Sequence, residues 1–263
     1  MIRRRGEKSA EGPTAIHSSS ATGVRNDNQD RAWAGETGLL VVADGMGGLE
    51  CGGEAAEIAL RVAQQLTGAA APREALAGAF EQANREIWKY GEEHGLAGGI
   101  GSTLVVCLAL EGRYLVANVG DSRGYYINNS AAWPITEDHS RAQELVRLGA
   151  MTAEAAQRSP FRNELTNCLG EPNGVAVDIF PRGNLWGIID EDCVLLLCSD
   201  GLHGWVTDAE IHRTLLSDRN LAAGCDTLID LALKNGSTDN VSIAAAEFGR
   251  LARRRRRWRW FGR

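Results

Sequence analysis

Val41-Val42-Ala43-Asp44-Gly45-Met46-Gly47-Gly48 is the stretch on which the fold turns. The apolar run from Leu39 to Ala43 reads as a buried strand, and it stops at an acid followed by three glycines in four residues. Glycine permits turns and close backbone approaches that a side chain would block. The pattern predicts Asp44 at a strand end, beside backbone that can come near a ligand. Taken alone, an aspartate before glycines is also an ordinary turn former.

Working outward, three more acids share this context. Asp121 follows the strand-like run 114–119 and Gly120. Asp200 follows the apolar run 193–198 and precedes Gly201. Asp239 lies in the turn Gly236-Ser237-Thr238-Asp239-Asn240, ahead of an apolar strand over 241–246. Upstream, 14–20 reads as a first strand, Thr22 to Asp30 as a polar loop holding Arg25, and Trp33-Ala34 as a second strand. Apolar residues recur at helical spacing from Ala55 to Leu66 and from Leu76 to Trp88, with Pro72 suited to a helix start. A hairpin is predicted from 102–110 and 114–119 about a Glu111-Gly112 turn. A pair of short strands follows over 125–135.

Residues 136–174 are more polar and read as an excursion from the core. One helical segment there has Leu145, Val146 and Leu148 on a face, and a second short helix is capped by Thr152. A strand over 175–180 and helices over 209–216 and 221–233 complete the pattern. Strands bracketing helix pairs, joined by hairpin-length links, imply an α+β layered fold with large antiparallel sheets.

Composition narrows the function. The 263 residues carry 44% hydrophobic and 24% charged side chains, ordinary values for a globular chain. No apolar run approaches the ~20 residues of a membrane helix, and Arg3 to Arg5 lack the apolar core of a secretory signal. Six cysteines without a Cys-x-x-Cys pair read as small buried thiols in a reducing cytoplasm. The net charge of −6 conceals an asymmetry: residues 253–263 hold seven arginines and no acid, so the first 252 residues stand at −13. An acidic body argues against a nucleic-acid enzyme with a basic cleft. The tail, which includes Trp258, Trp260 and Phe261, reads either as a solvated end or as a contact for an anionic membrane surface or an acidic partner.

Strand–turn junctions lie at sheet rims, where distant parts of a chain converge. Several carboxylates at one rim repel one another unless a cation joins them. An oxygen-only set favours Mg²⁺ or Mn²⁺ over zinc. Two such ions can hold a hydroxide and clamp a phosphate, and Arg25 would add a forked donor for phosphate oxygens.

Seven motifs stand in one order: Arg25-x-x-Asn28-Gln29-Asp30, Asp44-Gly45-Met46-Gly47-Gly48, Gly101-Ser102-Thr103, Gly120-Asp121-Ser122-Arg123, Asp138-His139-Ser140, Ser199-Asp200-Gly201-Leu202 and Asp239-Asn240. From about residue 14 to 248 the chain closely resembles the type 2C, or PPM, metal-dependent protein Ser/Thr phosphatases in their compact bacterial form. The resemblance implies a central antiparallel β-sandwich flanked by pairs of helices, with a small flap over about 136–174. The expected organisation is a flexible N-terminus over 1–13, a phosphatase domain over 14–249 and a basic tail over 250–263. It further implies two Mn²⁺ or Mg²⁺ ions and a third, weaker one. Asp44 would bridge the first two with the Gly45 carbonyl on one of them, Asp200 and Asp239 would add carboxylates, and Asp30 would support the site. Asp121 would serve the third ion, and Arg25 would bind substrate phosphate. The implied reaction is attack of a metal-bridging hydroxide on phosphoserine or phosphothreonine of proteins. Such an enzyme would oppose a bacterial Ser/Thr kinase, as a cytoplasmic monomer with peripheral contact at the inner membrane face through its tail.

Three positions depart from the family pattern. Met46 and Leu49 stand where members carry histidines, leaving leaving-group protonation to water. Gly23 lies two residues before Arg25 where the family has three, a shorter loop. His139 reads as structural; His17, His94, His203 and His212 read as surface or capping residues. The alternatives are a catalytically silent phosphoprotein-binding module on the same fold and a hydrolase of small phosphoesters.

Overall fold

The computed structural model describes residues 12–47, 51–66, 72–190 and 192–249. The apolar run forms β3 (Leu39–Gly47) at the heart of a seven-stranded sheet. Its even and odd positions face different cores. Leu40 and Val42 point between two sheets, while Leu39, Val41 and Ala43 point outward under helices. Alternate side chains leave opposite faces of a strand, and here both faces are covered. That is why the segment is continuously apolar and not alternating.

Before β3 come β1 (Ala15–Ala21) and β2 (Asp30–Ala34); after it come α1 (Cys51–Ala63) and α2 (Pro72–Glu93), the latter opening at the expected proline. Next are β4 (Ile100–Ser102), β5 (Leu104–Leu110), β6 (Arg113–Val119), β7 (Arg123–Ile127) and β8 (Ala132–Pro134). The β5–β6 turn is the predicted one, with positive φ at both Glu111 (48°) and Gly112 (73°), the left-handed pair that matches hairpin twist. The excursion holds α3 (Arg141–Arg147), α4 (Ala153–Gln157) and a 3₁₀ turn (Pro160–Asn163); Thr152 Oγ1 caps α4 by accepting from Ala155 N–H. The chain closes with β9 (Asp178–Phe180), β10 (Gly187–Ile188), β11 (Asp192–Cys198), α5 (Asp200–His203), α6 (Asp208–Ser217), α7 (Leu221–Lys234) and β12 (Val241–Gly249).

The seven-stranded sheet runs β10-β6-β5-β3-β2, with β4 on β3 and β9 on β6; the five-stranded sheet runs β1-β12-β11-β7-β8. Every pairing among these strands is antiparallel. Leu40, Val105, Leu195 and Ala244 pack between the sheets. Helices α1 and α2 cover the outer face of the larger sheet, and α6 and α7 cover that of the smaller. The α+β sandwich with flanking helices is therefore present as expected.

Four local expectations need correction. The strand does not end at Asp44: Gly45 to Gly47 stay extended and pair with β4, Gly45 opposite Ser102. The expected strand over 102–110 breaks at Thr103, whose groups turn to Asp44 as described below. Of 175–180 only the last three residues pair, and the two-residue β10 has no sequence signal. Leu148, the C-cap of α3, is 77% exposed and packs on no core, and Ala142 is the buried residue of α3.

Candidate functional site

Asp30 opens β2 and sits directly opposite Asp44 in the β2–β3 ladder, so two carboxylates start from paired backbone positions. Asp44 is held by the Gly101-Ser102-Thr103 motif. Its N–H donates to Thr103 Oγ1 at 3.0 Å, and its carbonyl accepts from Thr103 N at 2.9 Å and Ser102 Oγ at 3.0 Å. Thr103 Oγ1 also lies 2.7 Å from Ser122 Oγ, tying Asp44 to the neighbour of Asp121. Ser102 and Thr103 are thus scaffolding, which fits the absence of a hydrolase elbow around them.

Gly45 is required by proximity. A Cβ there would lie 2.0 Å from the Gly52 carbonyl oxygen, because the start of α1 packs directly on the strand. Asp200 does not end a strand either: Ser199 follows β11, and Asp200 is the first residue of α5. A Cβ on Gly201 would meet the Asn240 carbonyl at 1.9 Å, so the turns carrying Asp200 and Asp239 touch backbone to backbone.

These elements converge on one open cavity of about 760 Å³ lined by Asp44, Gly45, Asp121, Asp200, Asp239 and Arg25. Asp30 lies behind it, 3% exposed, with its Oδ2 accepting from Ser199 Oγ at 2.7 Å. The electrostatics follow from the crowding. Desolvation lifts Asp44 well above the usual carboxylate range, and the charges of Asp30, Asp200, Asp121 and Asp239 add to it. Desolvation, then Asp200 and Asp138, do the same to Asp121. Asp200 is pushed up to about 6 by desolvation and by Asp239 and Asp30. Asp30 is raised mainly by burial.

Such a site fits a hard divalent cation. Among the described residues Asp200 Oδ1 is buried with no hydrogen-bond partner, the donors are oxygens, and the carboxylates destabilise one another until a positive charge joins them. No three His, Cys, Asp or Glu of the described residues close on a single point. Mg²⁺ and Mn²⁺ do not need such a cage, since Mg²⁺ in particular keeps several waters beside one or two carboxylates.

Arg25 reaches the rim despite its short loop. Its Nη2 donates to Asp239 Oδ2 at 2.8 Å and its Nε to the Thr238 carbonyl at 3.1 Å, with the side chain 56% exposed. Gly23 allows this: φ is +63°, and a Cβ would lie 2.5 Å from the Asp239 carbonyl. Met46 lines the cavity as expected; Leu49 lies outside the described residues.

The parts played by the supporting residues are not readable from the sequence. Asn240 Nδ2 donates to the carbonyls of Thr22 and Asp27, and its Oδ1 accepts from Gln29 N–H, so one amide shapes the Arg25 loop. Its place next to Asp239 was the available signal. His139 is structural, as expected: Nδ1 accepts from Gly120 N–H and Nε2 faces Asp178. His203 corrects the expectation of a surface or capping residue. It is half-buried against the Asp121 carbonyl, 3.0 Å away, and desolvation pushes its imidazole down to about 3. No local pattern marked it.

The likeness to known proteins agrees with this geometry. The "Protein phosphatase 2C" family profile matches residues 14–167. The serine/threonine phosphatase stp of Listeria innocua is 34% identical over 235 residues, 85% of this chain and 91% of that protein. The crystal structure of the Mycobacterium tuberculosis serine/threonine phosphatase PstP/Ppp superposes with a TM-score of 0.80 at 30% identity, covering 89% of this chain and 98% of that one. The catalytic domain of serine threonine protein phosphatase PstP, in complex with two manganese ions, does so at 0.77 and 29%, covering 89% and 97%. With the profile spanning more than half of the chain and the acids gathered at one rim of the sandwich, the chain belongs to the protein phosphatase 2C family.

Proposed function

We propose that this metal-dependent protein serine/threonine phosphatase holds two Mn²⁺ or Mg²⁺ ions on Asp44, the Gly45 carbonyl, Asp200 and Asp239, with Asp30 supporting Asp44 from behind. Asp121 would serve a third, weaker ion. The observation that carries this reading is the convergence of these acids on one cavity. Divalent cations bound there supply acidified water and positive charge for the phosphoryl oxygens.

The chain's own residues define the rest. Arg25, anchored on one side by Asp239 and Thr238, turns its remaining guanidinium donors to the substrate phosphate. Among the described residues no Ser, Cys or His lines the cavity, and the one hydroxyl there, Thr103 Oγ1, is engaged by Asp44 N–H and Ser122. Attack on phosphorus therefore falls to water and not to a hydroxyl, thiol or imidazole of the chain. Met46 has no proton to give, so the departing serine or threonine oxygen takes its proton from solvent. Asn163 and Leu165 wall the cavity from the excursion, which we read as a flap over about 136–174 that meets the protein part of the substrate.

Residues 14–249 form the phosphatase domain in this reading, complete within one chain and so active as a monomer. A Ser/Thr kinase supplies its phosphoprotein substrates. The tail over 250–263 lies outside the described residues; its Arg/Trp composition supports contact with an anionic membrane face from the cytoplasm, or with an acidic partner. Among the described residues no helix is long and apolar enough to cross a membrane. A phosphothreonine peptide labelled on phosphorus tests the mechanism. With Mn²⁺ it should release inorganic phosphate and leave no label on the acid-quenched chain. A phosphorylated chain would overturn direct attack by water.

A further inference from the structure

We infer that His203 is a positioning residue that sets the cation affinity of Asp121 by holding its backbone, an inference that rests on the metal-site reading above. The single turn α5 carries Asp200 at one end and His203 at the other. His203 Nε2 lies 3.0 Å from the Asp121 carbonyl oxygen. A carbonyl only accepts, so Nε2 carries the proton and donates it. From the other side, Gly120 N–H donates to His139 Nδ1 at 3.2 Å, and the Gly120 carbonyl accepts from His139 N–H at 3.0 Å. The turn itself has little freedom: Gly120 has φ of +100°, and a Cβ there would sit 2.6 Å from the Thr103 methyl. Two imidazoles thus clamp the Gly120–Asp121 peptides, one from the excursion and one from α5.

The consequence is electrostatic. Asp121 is 6% exposed and faces Asp200, whose charge repels it. The His203 bond ties the element bearing Asp200 to the turn bearing Asp121, and so holds two mutually repelling carboxylates beside one cavity. Without it, Asp121 relaxes away from Asp200. Residues that orient ligands from outside the coordination sphere are worth about 10–100-fold in metal affinity.

Equilibrium Mn²⁺ binding to the whole chain, followed by the electron paramagnetic resonance of free Mn²⁺, tests this. Asp121→Asn should remove the weakest site. His203→Ala and His203→Asn should weaken that site at least tenfold. His203→Gln, whose amide nitrogen reaches the position of Nε2, should stay within about threefold, whereas the Asn amide mimics Nδ1 and falls short. In an Asp121→Asn background His203→Ala should change Mn²⁺ binding by less than about twofold. Equal losses for Gln, Asn and Ala, or a loss for His203→Ala that persists without Asp121, would overturn the positioning role. Binding unaffected by Asp121→Asn would overturn it too, leaving the two-ion reading intact. A wild-type chain that bound no Mn²⁺ would overturn both.

Discussion

Asp200 shows at the scale of one residue why this site wants a cation. Its carboxyl is lifted to about 6 by desolvation and by two neighbouring acids, and one of its oxygens is buried without a partner. A carboxyl raised in the folded chain contributes stability below its unfolded value near 3.8, and loses it as pH rises through about 6. A cation replaces the proton, so the stabilisation it gives grows over the same window. At about 100 times Kd, Mn²⁺ should raise Tm by on the order of 5–10 °C at about pH 7.5, and by clearly less at about pH 5.5; calorimetry with Mn²⁺ and with EDTA reads both. An equal rise at the two pH values would contradict the assignment. Arg25 gives the second prediction here. Lysine keeps the charge but loses the fork that holds Asp239 and phosphate together. Arg25→Lys should lower kcat/KM for a phosphopeptide by about 10²-fold, the scale of losing one preorganised charge-stabilising donor, with Mn²⁺ affinity nearly unchanged.

Elements are positioned by a few buried polar bonds. Arg123 at the start of β7 donates two 2.7 Å hydrogen bonds to Asp138, which leads into α3, and both side chains are mostly buried. Asp138→Asn leaves the guanidinium buried and uncompensated. It should cost about 3–5 kcal/mol in urea denaturation, detaching the excursion from the sheet. This scale also shows what a sequence displays. β3, α1, α2 and the Glu111-Gly112 hairpin were legible because long apolar runs, helical periodicity and a two-residue turn are local signals. The break at Thr103, the strand pairing of Gly45 to Gly47 and β10 were not, because each depends on a partner far along the chain. The acids stood out as polar residues closing apolar runs, although Asp44 lies within its strand and Asp200 opens a helix, and the roles proposed for them came from resemblance. Ser199 and Asn240 stood in the motifs but their parts did not, and His203 carried no mark at all, because a hydrogen bond to a distant carbonyl or carboxylate leaves no periodicity.

The whole molecule is an acidic sandwich with its carboxylates at one rim and a basic, aromatic end to the chain. Deleting residues 250–263 removes only segments beyond β12, so phosphopeptide kinetics should stay within about twofold while co-sedimentation with anionic vesicles falls away; equal vesicle binding by both forms would sink the anchoring role. In the function proposed, carboxylate-held cations run phosphate hydrolysis at this rim. Phosphate release from a phosphothreonine peptide, measured with Mn²⁺, with EDTA, and with Asp44→Ala, tests it most directly. The wild-type chain should turn over in Mn²⁺ alone, stop in EDTA and recover when Mn²⁺ is restored, and Asp44→Ala should show no turnover. Turnover that survived both EDTA and the substitution would contradict it.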